Sequence, residues 1–189
     1  MQALDLLIAD HNRVRGLFAQ FKQAHENDDD GTMSTVAMKI IEDLEVHTTI
    51  EEEIFYPAVH DTNKEIGETV DEGVEEHHVA KLLIAEVKQL PDGTPEWVAK
   101  MQVLIENVEH HAEEEEKEMF PPLRTKLAED RLQSLGEQIE ARKKQLGAPV
   151  VADKIDLTKE ALLELAREQQ IPGRSNMSQE ELAATVAPA

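Results

Sequence analysis

One pattern in the sequence occurs twice. The segment Glu42–Pro57 is matched 64 positions later by the segment Glu106–Pro121. On a helix, residues four positions apart lie on one face, about one turn from each other. Each copy can therefore present an imidazole and a carboxylate to the same metal centre, and its aromatic–proline pair predicts the end of a helix. The matched residues are His47 with His111, Glu51 with Glu115, Tyr56 with Phe120, and Pro57 with Pro121.

Apolar residues recur at spacings of three and four through most of the chain, which predicts an all-α protein. Short connections between long amphipathic helices imply antiparallel neighbours, and hence an up-down-up-down four-helix bundle. A fifth, more polar helix follows the bundle. The predicted helices cover about residues 2–26, from the turn at 27–31 to about 59, 64–90, 95–121 and 123–146.

The chain divides at a Gly-Ala-Pro segment that begins at Gly147. Residues 1–146 form the predicted bundle, and residues 147–189 form a linker with a small helix-loop-helix module. In this module we expect a helix at 158–170 and a second one opened by the capping box Ser178-Gln179-Glu180-Glu181. The module resembles the SAP and Rho N-terminal type, whose members often contact nucleic acid. Its four basic against seven acidic side chains, a net charge of −3, disfavour that partner here, and a protein partner stays open.

Composition restricts the partners and the chemistry. The net charge of −21 disfavours nucleic acid and anionic membranes as partners. The sequence has no cysteine, which excludes thiolate metal sites and a cysteine nucleophile. The first residues lack the pattern of a signal peptide, and no apolar run approaches the length of a membrane span. We therefore expect a cytoplasmic protein.

Six inward-facing residues are the candidate metal ligands. A lone histidine in an apolar face is more often a hydrogen-bonded core residue than a ligand. Here, however, four predicted helices each place a histidine on the inner side, and buried charges need compensation. The helical register favours His77 over His78, and the match of the two prolines selects His111 over His110. The candidate ligands are His11, His47, Glu51, His77, His111 and Glu115.

These residues resemble the motifs of the hemerythrin-like, HHE cation-binding family. The resemblance rests on Asp10-His11, His47-x-x-x-Glu51, Glu76-His77 and His111-x-x-x-Glu115 with Phe-Pro, over about residues 1–146. It implies a four-helix bundle with a non-haem di-iron centre, bridged by carboxylates and a solvent-derived oxygen. Carried over, the four histidines would be terminal ligands and the two glutamates would bridge two iron ions. Nitrogen and oxygen ligands suit manganese as well.

The chain departs from the oxygen-carrying members of that family. Those proteins have a further histidine one turn before the third ligand, where this chain has Gly73. A missing nitrogen ligand leaves more exchangeable positions on the metal, so we expect catalase-like decomposition of hydrogen peroxide rather than oxygen carriage. We expect no catalytic residues beyond the ligands, with Tyr56, His78 and His110 as candidate proton shuttles near the metal.

Two other functions stay open at this level. The first is a sensor of oxygen, nitric oxide or iron that signals through the C-terminal module. The second is iron buffering, which would require iron well above two ions per chain.

Overall fold

The computed structural model describes residues 1–148, 159–168, 171–178 and 182. All regular structure in these residues is helical, which confirms the all-α prediction. Two π-helical turns and two short 3₁₀ turns interrupt or follow the α-helices. The α-helices are α1 (Ala3–Glu26), α2 (Asp30–Ile50), α3 (Tyr56–Val59), α4 (Lys64–Val87), α5 (Pro95–Glu114), α6 (Phe120–Lys126), α7 (Glu129–Gln145) and α8 (Lys159–Glu168).

Side-chain caps fix the start of three bundle helices. The Asp29 side chain accepts a hydrogen bond from Thr32 N at 3.0 Å at the start of α2. Asn63 caps α4 in the same way, and Thr94 caps α5 immediately before a proline at the first helical position. Such caps satisfy backbone N–H groups that have no partner within the helix. They allow the short connections that keep consecutive helices antiparallel.

The bundle pairs α1 with α2 and α4 with α5. Its interior contains two apolar clusters, one around Phe18, Phe21 and Trp97 and the other around Phe55 and Phe120. On α1, α2 and α4 a histidine lies between residues of the first cluster and residues of the second, and on α5 His111 follows Val108, the last residue of the first cluster. The bundle therefore has a polar layer between two apolar layers, and the candidate ligands lie in the polar layer.

A π-helical turn follows each His-x-x-x-Glu motif, at Glu51–Phe55 and at Glu115–Met119. In both turns the glutamate carbonyl accepts a hydrogen bond from the aromatic residue five positions later, Tyr56 or Phe120. In an α-helix, residues five positions apart point in different directions, because one turn holds 3.6 residues. In a π-helical turn, the i→i+5 hydrogen bond brings the later residue back to nearly the same face as the earlier one. Each aromatic side chain therefore lies on the same face as its glutamate.

The expectation that the aromatic–proline pair ends its helix is wrong at Pro121, whereas after Pro57 the helix ends at Val59, as predicted for the second helix. Pro57 lies inside α3, and Pro121 and Pro122 lie inside α6. A proline is tolerated at the first positions of a helical segment because its missing N–H is not needed there. The second break comes instead at Leu127, whose backbone is extended, so the fifth helix begins at Glu129 rather than near Leu123.

The fifth helix, α7, packs against α1, α2 and the first π-helical turn. Gly136 permits this approach, because a Cβ atom there would lie 2.1 Å from the carbonyl oxygen of Met1. Near the C-terminal end of α7, Lys143 is buried with an exposed fraction of 4%. A helix that is mostly polar thus delivers one cation into the bundle.

The C-terminal segment is described in part. Helix α8 corresponds to the helix predicted at 158–170 and lies against α1. The predicted linker lies mostly outside the described residues, as does the helix expected after Ser178, and the boundary at residue 147 stays a prediction. Within the described parts of the chain, no helix combines the length and apolar character needed to cross a membrane.

Candidate metal centre

The four long helices bring their histidines to one level of the bundle. His11 on α1, His47 on α2, His77 on α4 and His111 on α5 are all buried. Glu51 and Glu115 are the first residues of the two π-helical turns, and their exposed fractions are 0% and 1%. All six predicted residues therefore meet in the polar layer, although their role as ligands is a prediction.

Glu51 lies at the centre of this group. Its Oε2 atom is 3.1 Å from His47 Nε2, 3.3 Å from His77 Nε2 and 4.0 Å from His111 Nε2. The Nε2 atoms of His77 and His111 are 3.1 Å apart. One carboxylate thus faces three imidazole nitrogens on three different helices.

Glu115 occupies the related position in the other copy of the motif. Its Oε2 atom is 3.3 Å from His11 Nε2 and 3.9 Å from His111 Nε2. The ligand atoms form two groups in which all atoms lie within 4.8 Å of one another, and Glu51 belongs to both. The first group is His11, His47, Glu51 and Glu115, and the second is Glu51, His77 and His111.

A second ring of carboxylates lies outside the histidines. Each histidine turns Nε2 inward and Nδ1 toward an acidic residue, an arrangement that fixes which nitrogen is free to bind a metal. Three of these contacts are hydrogen bonds, and the fourth is longer. The pairs are His11 with Glu116 at 2.8 Å, His77 with Glu52 at 3.0 Å, His111 with Glu76 at 2.8 Å, and His47 with Asp10 at 3.8 Å.

Basic residues hold three of those outer carboxylates. Arg15 binds Glu116, Lys81 binds Glu52, and Lys143 binds Asp10. Each acidic partner is a sequence neighbour of a candidate ligand. For example, Asp10 precedes His11, and Glu52 follows Glu51. Each outer carboxylate serves a histidine on a neighbouring helix and not the residue next to it.

Several buried polar atoms in this layer have no hydrogen-bond partner. They include His11 Nε2, both ring nitrogens of His47, both carboxylate oxygens of Glu51, and Glu115 Oε2. Burying such atoms unpaired costs free energy, and a bound cation removes that cost for imidazole and carboxylate together. The donor set of four imidazole nitrogens and two carboxylates fits metal cations that accept both nitrogen and oxygen ligands.

In the metal-free chain, protons compensate the same charges. Burial opposes a charged His11, but the Glu115 and Glu116 carboxylates raise its pKa to about 9. Burial also opposes a charged Glu51, but the surrounding histidines hold its pKa well below its ordinary value. Metal binding must displace these protons.

Tyr56 is part of the layer. Its hydroxyl donates to Glu115 Oε1 at 3.0 Å and lies 3.4 Å from His111 Nε2. Space for it comes from Gly73, where a Cβ atom would lie 2.9 Å from Tyr56 Oη and 3.3 Å from His111 Cε1. A side chain at residue 73 and the tyrosine hydroxyl therefore compete for the same space.

The other two candidate shuttles lie apart from this layer. His78 is exposed on α4. The His110 side chain is 64% exposed and lies 3.4 Å from Glu114 and 3.9 Å from Glu76. His110 reaches the centre only through Glu76, and His78 has no such connection among the described contacts.

Sequence reasoning missed the outer carboxylates and their cations. Glu52 and Glu116 look like members of solvated acidic runs, yet their side chains are only 31% and 25% exposed. A usable signal was present, because an acidic residue adjoins a ligand in all four motifs. For Lys143, in a polar helix, no comparable signal exists.

The model of the hemerythrin HHE cation-binding domain matches residues 2–123. The chain belongs to this family. The match includes all six candidate ligands and ends inside α6, so α7 and α8 lie beyond it.

Relatives of this HHE protein differ in length. An uncharacterised protein of Mycobacterium tuberculosis is 29% identical over 152 residues, which cover 79% of this chain and 91% of the relative. A protein of Nostoc sp. named DNA nickase is 27% identical over 146 residues, which cover 77% of this chain and 40% of the relative. The chain thus matches less than half the length of the Nostoc protein. No solved structure matches the chain.

Proposed function

We propose that this HHE protein holds two iron ions between its four long helices and decomposes hydrogen peroxide. The observation that carries the proposal is the orientation of the histidines. All four turn Nε2 toward Glu51 or Glu115, and unpaired buried oxygens of those carboxylates lie between them. A structural ion pair would need no such convergence of nitrogen atoms.

Six residues would hold the metal pair. His11, His47 and Glu115 face one position, while His77 and His111 face the other, and Glu51 faces both. When bound, the metals would supply reversible transfer of two electrons, which no side chain of this cysteine-free protein offers. Manganese suits the same donors, so the identity of the metal is part of the proposal.

The overall reaction consumes two peroxide molecules. One is reduced to two molecules of water, and the other is oxidised to dioxygen, giving up two electrons and two protons. The protons must reach the oxygen atoms of the first molecule. The chain therefore needs an O–H or N–H group that can hold and deliver a proton within the buried layer.

Tyr56 is the group placed for that task. Its hydroxyl oxygen lies 3.0 Å from Glu115 Oε1 and 3.4 Å from His111 Nε2. Stacking on the His77 ring, with centroids 5.5 Å apart, fixes the orientation of the phenol. We assign Tyr56 the role of proton donor and acceptor, and His110 no direct role.

Oxygen evolution from hydrogen peroxide tests the function. The protein is loaded with iron, excess metal is removed, and oxygen release is recorded with an electrode. Steady release that requires bound metal supports the proposal. A protein that holds two ions and releases no oxygen contradicts the catalytic part and leaves the metal site standing.

A sensor is the second candidate function, and the position of α8 favours it. This helix lies against α1, which carries His11. A change in metal or ligand occupancy at His11 can therefore reach the C-terminal segment through one helix. Deleting residues 147–189 separates the two functions, since an enzyme keeps its turnover and a sensor loses its response to a partner.

A further inference from the structure

A small cavity lies beside His11 and His47 of the candidate centre, with walls from α1, α2, α5 and α7. Its volume is about 20 Å³, enough for one water-sized molecule. Its inner wall includes His11, His47 and His111, which are buried. Its outer wall includes Val46 and Ala148, which are partly exposed. The cavity therefore reaches from near the surface to three of the four histidines.

Two ion pairs line this cavity, and their four residues are called its rim. Arg13 Nε donates to Asp43 Oδ2 at 2.6 Å. Lys143, which comes from α7, donates to Asp10 Oδ1. Each pair joins one cation to one carboxylate, so the rim carries no excess charge in a protein whose net charge is −21. Anions gain nothing from such a rim and are repelled by the protein as a whole.

The cavity also offers unused hydrogen-bonding atoms. Asp10 Oδ2 and His47 Nδ1 are buried, lack partners and lie 3.8 Å apart. The corresponding histidine–carboxylate pairs elsewhere in the layer are closed at 2.8 to 3.0 Å. Among the four buried histidines of the described residues, His47 is the one whose Nδ1 and facing carboxylate oxygen both lack a partner, so a small guest there can accept from the imidazole N–H and donate to the carboxylate.

We propose that this cavity is the access route of small, uncharged molecules to the metal centre, and that Lys143 sets the size of what passes. This inference rests on the proposed function. The Lys143 side chain is 5% exposed, and its ammonium group is held on Asp10 at the rim. Its aliphatic stem closes space that a smaller side chain would leave open.

A purely structural role for Lys143 is the alternative. A buried ion pair gives little net stability, because desolvation offsets the attraction, and an apolar pair would hold α7 to the bundle equally well. The structural role predicts that changes at Lys143 alter stability alone. The access role predicts that they alter the rate at which a ligand reaches the metal.

Binding of nitric oxide to the iron(II)-loaded protein tests the route without requiring turnover. The association rate is followed by stopped-flow absorbance, with metal content measured for each variant. Lys143→Ala should bind nitric oxide about 10-fold faster, since a gating side chain is removed. Ala148→Phe narrows the outer wall at a partly exposed position and should bind it about 10-fold more slowly.

Lys88→Ala is the matched control. Lys88 pairs with Glu45 on the surface, so this variant loses one positive charge without touching the cavity. It should bind nitric oxide at the wild-type rate. Equal rates in the wild type, Lys143→Ala and Ala148→Phe overturn the route, even if the protein decomposes peroxide. Wild-type protein that binds nitric oxide and releases no oxygen from peroxide overturns the proposed function and leaves the route intact.

Discussion

The two copies of the motif build two unlike halves of one centre. The first half holds His11, His47 and Glu115, the second half holds His77 and His111, and Glu51 belongs to both. In the second half the Tyr56 ring stacks on His77, with centroids 5.5 Å apart, and its hydroxyl donates across the centre to Glu115 of the first half. In the first half the Phe120 ring stacks on His11 at 6.0 Å and brings no hydroxyl. A repeated helical scaffold thus places equivalent rings on equivalent histidines, and a single oxygen atom makes the halves chemically different.

Space differs between the halves as well. One turn before His77 the chain has Gly73, and the tyrosine hydroxyl fills the gap. One turn before His11 the chain has Leu7, which is fully buried. The cavity lies beside the first half, next to His47 and its unpaired nitrogen. We therefore expect ligands to enter beside the first half and protons to be transferred at the second half.

The largest effect is expected where the halves share a residue. Glu51→Ala removes the carboxylate that faces both metal positions and leaves buried histidines without an anion. We expect the loss of both ions and of peroxide turnover, measured by elemental analysis and oxygen release. Glu53→Ala is the control, because Glu53 is 49% exposed and pairs with Arg142 on the surface. Full metal content in Glu51→Ala would falsify the assignment of this residue.

Tyr56→Phe makes the second half chemically similar to the first. The ring remains on His77, while the hydroxyl that binds Glu115 is lost. We expect peroxide turnover to fall about 100-fold, the lower range for removal of a general acid–base group. Metal content should stay at the wild-type level. Turnover that does not change would mean that the difference between the halves has no catalytic consequence.

Gly73→Ala tests the same difference by filling the space beside the Tyr56 hydroxyl. The new Cβ would lie 2.9 Å from Tyr56 Oη, so the hydroxyl must shift away from Glu115. A displaced supporting group costs about 10-fold in metal affinity or activity. Gly31→Ala is the control, because a Cβ there would meet nothing closer than 3.7 Å. Peroxide kinetics and metal content distinguish the two variants, and equal kinetics would count against the coupling of Gly73 to Tyr56.

The smallest expected effect is a pH dependence of the metal-free protein. The folded-state pKa of His11 is raised from 6.5 to about 9. Its contribution to stability is therefore fully present below pH 6.5 and is lost as the pH rises through 9. We expect the Tm of the metal-free protein to fall over this interval, by about 2–4 °C for each kcal/mol lost. Calorimetry of the metal-loaded protein should show no such fall, because metal replaces the proton on His11. The same dependence of Tm on pH in both forms would contradict this role of the His11 proton.

Helical periodicity was sufficient to predict the bundle and to bring six residues together. His11, for example, sits in an otherwise apolar stripe, and the matched prolines correctly separated His111 from its exposed neighbour His110. Periodicity failed at the π-helical turns, because it assumes 3.6 residues per turn throughout. Tyr56 was expected near the metal from its place at the end of the matched motif, but periodicity did not predict the π-helical turn that brings it onto the face of Glu51.

The outer ring was beyond the reach of sequence alone. Glu116 binds a histidine 105 positions away, and Lys143 binds Asp10 133 positions away. Such partners depend on how helices are rotated and spaced, which local composition does not encode. In a chain with 40 acidic residues, one more glutamate carries little information until its neighbours are known.

Metal stoichiometry in three proteins tests the central claim most directly. The wild type, Tyr56→Phe and Glu51→Ala are loaded with iron(II), passed over a desalting column and analysed for metal per chain. A shared two-metal centre predicts two ions in the wild type, two in Tyr56→Phe and none in Glu51→Ala. A wild-type protein that retains no metal, or a Glu51→Ala variant that retains two ions, would contradict it.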